Sequence, residues 1–239
     1  MAIKKIKVGI LTFSDGRKYI HDTLVELNQN YQQKLAQALE STGEVEVVQA
    51  KEIIWNAETA RSEGRRMLEN RVDMTILNYA IWAFPNLAAI ATNFAPGPYL
   101  LFCNIHPKEP GMVGMLACAG TMDQIGLTYT RIWGDIHDPK TLNKVMQYVR
   151  AAGAVNHIKG ETYGLFGGRP LGMYTAVANQ DQWRQIFGVD VQHIEQYDIV
   201  RISETIAEER VNAGLKWLES HVKEIRYDGK ILTQDKKTN

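Results

Sequence analysis

"KIKVGILTF", Lys5–Phe13, decides how the rest of the chain is read. Its density of Ile, Val and Leu is that of a strand buried on both faces of a parallel sheet. The preceding residues are basic, so the N-terminus has a weak signal-peptide profile. However, the apolar run is short and no small-x-small cleavage site follows it. The next four residues, "SDGR", have turn composition. A strand that ends in a turn and leads into a helix is the first half of a βαβ unit.

The pattern repeats outward from there. From Tyr19 to Glu40 the residues Ile20, Leu24, Leu27, Tyr31, Leu35 and Leu39 recur at helical spacing. "VEVVQA" (45–50), "VDMTILN" (72–78), "PYLLFCN" (98–104) and "TYTRIW" (128–133) read as four further strands. Between them lie a polar helix (56–71), a short helix with Pro85 in its first turn, and a helix rich in Gly and Ala (111–126). A long helix follows over 138–158, with Asp138 as its N-cap and Pro139 in its first turn. Five strands alternating with helices predict an α/β fold, a flavodoxin-like doubly wound parallel sheet of order 2-1-3-4-5 spanning residues 1–160.

After Lys159-Gly160 the pattern starts again. "ETYGLFG" reads as a strand, "NQDQWRQIFG" as a helix and "VDVQHIEQ" as a strand, followed by one long helix from about Ser203 to Lys223. Two strands and two helices do not make a self-sufficient sheet domain. Residues 161–239 are therefore expected to be the start of a second, incomplete α/β domain. The stretch "FGGRPLGMYT" inside it has neither GxxxxGK[ST] nor GxGxxG, so a structural turn is expected there in preference to a phosphate cradle.

Composition narrows the function classes. The chain has 239 residues, 45% of them hydrophobic and 23% charged, as expected of a globular protein with a real core. Lys+Arg and Asp+Glu both number 27, a balance that gives no support for a nucleic-acid partner. No run approaches the roughly 18 apolar residues of a membrane span. The two cysteines, Cys103 and Cys118, form no CxxC pattern and no disulfide framework, so a cytoplasmic location is expected.

Open α/β sheets bind ligands beyond the carboxyl ends of their strands. The loop after the first strand carries Asp15, Arg17 and His21; the loop after the third carries Tyr79 and Trp82. Asn104 and His106 follow the fourth strand, and Asp135, His137 and Asp138 the fifth. Trp82 reads either as a plug at the sheet end or as a platform for the C–H face of a sugar. Arg17 reads either as a fork of donors for hydroxyls or an anion, or as a surface ion pair with Asp15 or Asp22. "GDIHD" (134–138) has the residue types of a metal cluster, but no third ligand is identifiable and a polar loop with a helix cap is the better reading. The cysteines lack an activating partner and read as inert thiols.

Beyond these generic signals, "YGLFGGRPLGMYTAVANQDQWRQIFGVDVQHIEQYDIVR" (Tyr163–Arg201) resembles the region that opens the second domain in the L-fucose isomerase and L-arabinose isomerase superfamily, on its L-fucose isomerase-like branch. "DGRKYIH" (15–21), "IWAFP" (81–85) and "IWGDIHD" (132–138) extend the likeness over essentially the whole chain. The resemblance implies an aldose–ketose isomerase that uses a divalent cation, usually Mn²⁺, and moves a proton between C1 and C2 with acidic residues. It implies a homo-oligomer in which the N-terminal domain of one subunit covers the active site of its neighbour. By motif position it implies that Arg17 and Trp82 contact sugar across that interface; Tyr79 and His21, on the same two loops, complete the expected substrate-binding set. The family's metal ligands lie in later segments, and no His or Asp of this chain corresponds to them. The expectation is therefore an N-terminal half that carries no catalytic or metal-binding residue and binds no Mn²⁺ alone. It would be inactive by itself and would act with a second polypeptide supplying the C-terminal half, or as a homo-oligomer. A stand-alone sugar-binding or regulatory module is the alternative.

Overall fold

A computed structural model describes residues 5–169 and 171–226. The chain divides into two compact units, the first ending at Ile158 and the second beginning at Lys159.

The first unit is built on five parallel strands: β1 (Ile6–Phe13), β2 (Val45–Gln49), β3 (Met74–Tyr79), β4 (Tyr99–Asn104) and β5 (Tyr129–Gly134). Their order is β2-β1-β3-β4-β5, the flavodoxin-like order expected. β1 pairs on both sides, with Ile10 opposite Gln49 of β2 and Ile76 of β3. Five helices cover the sheet: α1 (Lys18–Glu40), α2 (Ala57–Glu69), α3 (Pro85–Thr92), α4 (Gly111–Gln124) and α5 (Pro139–Ile158).

Strand alternation divides the core in two. Val8, Ile10, Met74, Ile76, Leu100 and Phe102 point to one face, where α1 and α5 bring Leu35, Leu39, Val145, Met146 and Val149. Leu11, Phe13, Leu77, Tyr79, Leu101 and Cys103 point to the other, under Ala60, Met67, Leu87, Ala91, Met115 and Met122 of α2, α3 and α4. Each fully buried Leu or Ile contributes about 1.5–3 kcal/mol. The helix starts carry their own signals. Asn56 and Thr59 form a reciprocal capping box at α2, with Asn56 Oδ1 accepting from Thr59 N at 2.8 Å. Asp138 caps α5 as predicted, accepting from the backbone N–H of Lys140 and Thr141, both at 3.3 Å.

The second unit contains a two-stranded parallel sheet, β6 (Thr162–Phe166) and β7 (Asp190–Ile194), with Thr162 opposite Asp190 and Phe166 opposite Ile194. α6 (Gln180–Phe187) connects them, capped by Asn179 and closed by Gly188 in the left-handed conformation. Between β6 and α6 the described residues of "GGRPLGMYTAVA" form turns and no helix. That agrees with a structural turn.

The helix predicted from about Ser203 to Lys223 is present as α8 (Glu208–His221), and a further helix not expected from the sequence, α7 (Gln196–Ser203), precedes it. Ser203 and Thr205 explain the break between them: their hydroxyls donate to the carbonyls of Val200 and Ile202, at 2.7 and 2.8 Å, and so compete with helix continuation. Glu208 and Glu209 then stand in the first turn of α8, where the helix dipole favours them. None of α6, α7 and α8 has a buried residue, and Tyr197, Val200, Ile202 and Trp217 are exposed.

Candidate functional site

Strand order reverses between β1 and β3. The chain leaves β1 toward the α1 face and β3 toward the opposite face, so the two loops part and leave a crevice at the strand ends. A cleft of about 350 Å³ lies there, lined by Asp15, Arg17, Ile20, Leu24, Ile81, Trp82, Glu109 and Pro110. A larger, shallower depression of about 720 Å³ runs along the β5 edge and is lined by Thr128–Arg131 and Trp133 among others. It lies along a strand edge, whereas the crevice gathers side chains from three separate loops. For that reason the crevice is the better candidate.

Asp15 and Arg17 form a rigid pair. Asp15 Oδ1 accepts from Arg17 Nε at 2.9 Å and from Arg17 N at 2.9 Å; Oδ2 accepts from Nη2 at 2.7 Å. The Asp15 carboxylate is buried, while half of the Arg17 side chain stays exposed. A bidentate contact through Nε and Nη2 fixes the guanidinium plane and leaves Nη1 outside that contact. Gly16 allows the turn to sit this close. A Cβ there would lie 3.0 Å from the Phe84 ring and 3.4 Å from the Trp55 carbonyl oxygen.

On the other wall, Ile81 and Ala83 are buried and hold the loop, which leaves Trp82 half-buried between them. Phe84 meets the indole edge-on, with ring centroids 5.9 Å apart. The cleft therefore offers one flat apolar face and one fixed fork of donors.

The hydrogen bonds from Arg17 hold the Asp15 carboxyl below its ordinary value of 3.8, against the opposing effect of burial. The Arg17 guanidinium is correspondingly held protonated. Because folding lowers the Asp15 pKa, the stability contributed by the pair is fully present above the unfolded value and is lost as pH falls through the folded one. Acid unfolding is expected to steepen below about pH 4, and Asp15→Asn to flatten the curve in that window. Superimposable acid-unfolding curves would remove the pair from this account.

The structure brings Arg17 and Trp82 together and leaves Tyr79 and His21 out of the cleft. Tyr79 is 1% exposed and stacks on Phe13 at 5.2 Å; burial pushes its hydroxyl pKa well up. As the last residue of β3 it alternates toward the α4 face. His21 is 9% exposed, shares a 3.0 Å hydrogen bond with Ser14 Oγ and stacks on Trp55. Burial lowers its pKa, which favours the neutral ring, and it braces the β1 loop from behind.

The sequence placed Asp15 on this loop as a possible ion-pair partner of Arg17, read Ile20 and Leu24 only as apolar positions of the first helix, and did not single out Glu109; all four line the cleft. Glu109 lies two residues before Gly111, where α4 begins. Asn104 lies inside: its Nδ2 donates to Asn78 Oδ1 at 2.7 Å and Asn78 Nδ2 donates to Thr12 Oγ1 at 2.9 Å, a polar row across β4, β3 and β1. Cys103 and Cys118 are buried, and burial pushes both thiols up to about 11, as inert thiols require. Among the described residues no three His, Cys, Asp or Glu side chains converge on a metal position. The described residues therefore supply no ligand set that fits Mn²⁺. No helix of the described residues is long and apolar enough to cross a membrane.

Residues 5–160 match the family described as "L-fucose isomerase, first N-terminal domain". The L-fucose isomerase of Haemophilus influenzae (strain PittEE) is 24% identical over 237 residues, which cover 92% of this chain and 40% of that protein. That of Vibrio vulnificus (strain YJ016) is 22% identical over 236 residues, with coverage of 92% and 40%. That of Bacteroides fragilis (strain YCH46) is 24% identical over 234 residues, with 91% and 39%. The chain thus spans about two fifths of the length of the curated relatives it matches.

Proposed function

The chain belongs to the L-fucose isomerase family through its first N-terminal domain, and on that premise we propose that it is the sugar-covering part of a metal-dependent aldose–ketose isomerase. Its own residues bind and orient. Trp82 stacks on the C–H face of the sugar and Arg17, steadied by Asp15, donates to hydroxyl oxygens. The metal, Mn²⁺ in this reading, and the groups that move the proton come from polypeptide beyond the residues described, and no proton transfer is assigned to this chain. The single observation that carries the reading is the crevice at the β1/β3 reversal, where a fixed guanidinium and a half-buried indole face one space.

Partner contacts belong to the same proposal. Among the described residues, the second unit has a parallel sheet of two strands and three helices without a buried residue. Parallel sheets are stable when both faces are covered. The cover is further isomerase polypeptide, joined to this chain or carried by a partner, together with further copies in an oligomer. A stand-alone sugar-binding module is the second reading. It is favoured by one fact: every residue lining the cleft belongs to the first unit.

Titrating the chain with L-fucose while following tryptophan fluorescence tests the binding role common to both. Saturable quenching is expected, with Trp82→Ala weakening it at least about tenfold, or 1.4 kcal/mol. Equal binding by the variant would exclude the indole platform. Aldose–ketose turnover with Mn²⁺ by this polypeptide alone would refute the division of labour; turnover only after the remaining polypeptide is added supports the isomerase reading over the module.

A further inference from the structure

The cleft holds three charged groups, and only two of them are paired. Asp15 and Arg17 neutralise each other through two side-chain hydrogen bonds. Glu109 makes no hydrogen bond or ion pair with any described residue, although it lines the same space. The nearby cation Lys18 is engaged by Asp22, at 2.9 and 2.8 Å, and Lys108 is not among the lining residues. The cleft therefore carries one uncompensated negative charge.

Hydrogen-bond chemistry adds a second point. Arg17 can only donate, whereas every sugar hydroxyl both donates and accepts. Arg17 alone would offer the hydroxyl protons no exposed carboxylate, because the Asp15 side chain is 3% exposed and already accepts three hydrogen bonds from Arg17. Glu109, half-buried in the same cleft, supplies acceptor lone pairs.

We propose that Glu109 is a ligand-contacting and specificity-determining residue of this cleft. Its carboxylate accepts hydrogen bonds from the hydroxyls of a neutral polyol, and its unpaired charge turns away phosphorylated and carboxylated sugars. The inference rests on the sugar-binding reading above and adds a residue and a charge filter to it.

The test compares two probes that differ by one phosphate, L-fucose and L-fucose 1-phosphate, titrated into the full chain by tryptophan fluorescence. The wild-type chain is expected to bind L-fucose at least about tenfold more tightly than the phosphate. Glu109→Gln, which keeps the shape and removes the charge, is expected to bring the two affinities within about threefold of each other. Glu109→Ala, which also removes the acceptor, should in addition weaken L-fucose about tenfold. Thermal melts matching the wild type establish that both variants fold. Unchanged discrimination in both variants, alongside L-fucose binding that is lost in Trp82→Ala, overturns the role of Glu109 and leaves the sugar site standing. No L-fucose binding by the wild type overturns both.

Discussion

Gly114→Val is expected to destabilise the first unit by about 2–3 kcal/mol and to remove L-fucose-dependent quenching. A Cβ at position 114 would stand 2.8 Å from the carbonyl oxygen of Ile81, 3.1 Å from Ala83 N and 3.3 Å from the Tyr79 ring. Two of these neighbours are backbone and cannot swing aside. Relief requires the start of α4 to move off the 80–84 loop, and that loop carries Trp82. Gly111, one turn earlier, makes the same kind of approach, with a Cβ falling 2.7 Å from the Ala80 oxygen. Overpacking is opposed by helix propensity, since leaving glycine for another residue inside a helix gains up to about 1 kcal/mol. Gly120→Ala isolates that opposing effect, because a Cβ there meets nothing within 4 Å. Urea unfolding should therefore show Gly120→Ala more stable than wild type and Gly114→Val less stable. Shifts of the same sign would mean that close backbone approach at α4 does not hold the cleft loop.

Limited trypsin digestion of the whole chain is expected to cut first within the second unit, at exposed Arg184, Arg201, Arg210 or Lys216, and to leave a resistant fragment ending near Ile158. Local opening costs little where few apolar contacts are broken. In the first unit, opening any helix exposes one of two cores; in the second, α6, α7 and α8 bury no residue. A two-stranded sheet is marginal by itself. Time-resolved mass spectrometry reads the order of cleavage. Equal resistance of both units would show that the second is stable without a cover, which would favour the stand-alone module. Protection of the same sites on adding further isomerase polypeptide would identify what covers them.

The sheet was legible because parallel strands announce themselves as short apolar runs between helices, and Ile6–Phe13, Met74–Tyr79 and Tyr99–Asn104 are such runs. α7 was not, because it follows β7 within two residues and no side chain caps its start. Beyond it the hydroxyls of Ser203 and Thr205 bond the carbonyls of Val200 and Ile202, and α8 begins only at Glu208. The site was half legible. Arg17 and Trp82 stand on loops that any reading of strand ends would select. Tyr79 stands beside the same loop and is lost to the core, because strand alternation at the last residue of β3 turns it toward α4.

By itself the sequence determined the α/β class and the succession of five strands and helices, since those follow from local periodicity; the 2-1-3-4-5 order was an expectation from the flavodoxin-like pattern, and the pairing of distant strands fixed it. Only the tertiary structure decided which side chains of those loops share a cleft. That outcome depends on contacts between distant segments: Gly16 admitting the Phe84 ring, and Gly111 and Gly114 letting α4 close on the loop that carries Trp82, so that Glu109 lines the same cleft. Each is a matter of a few tenths of an ångström between closely packed atoms, a distance that no pattern of residue types along the chain encodes.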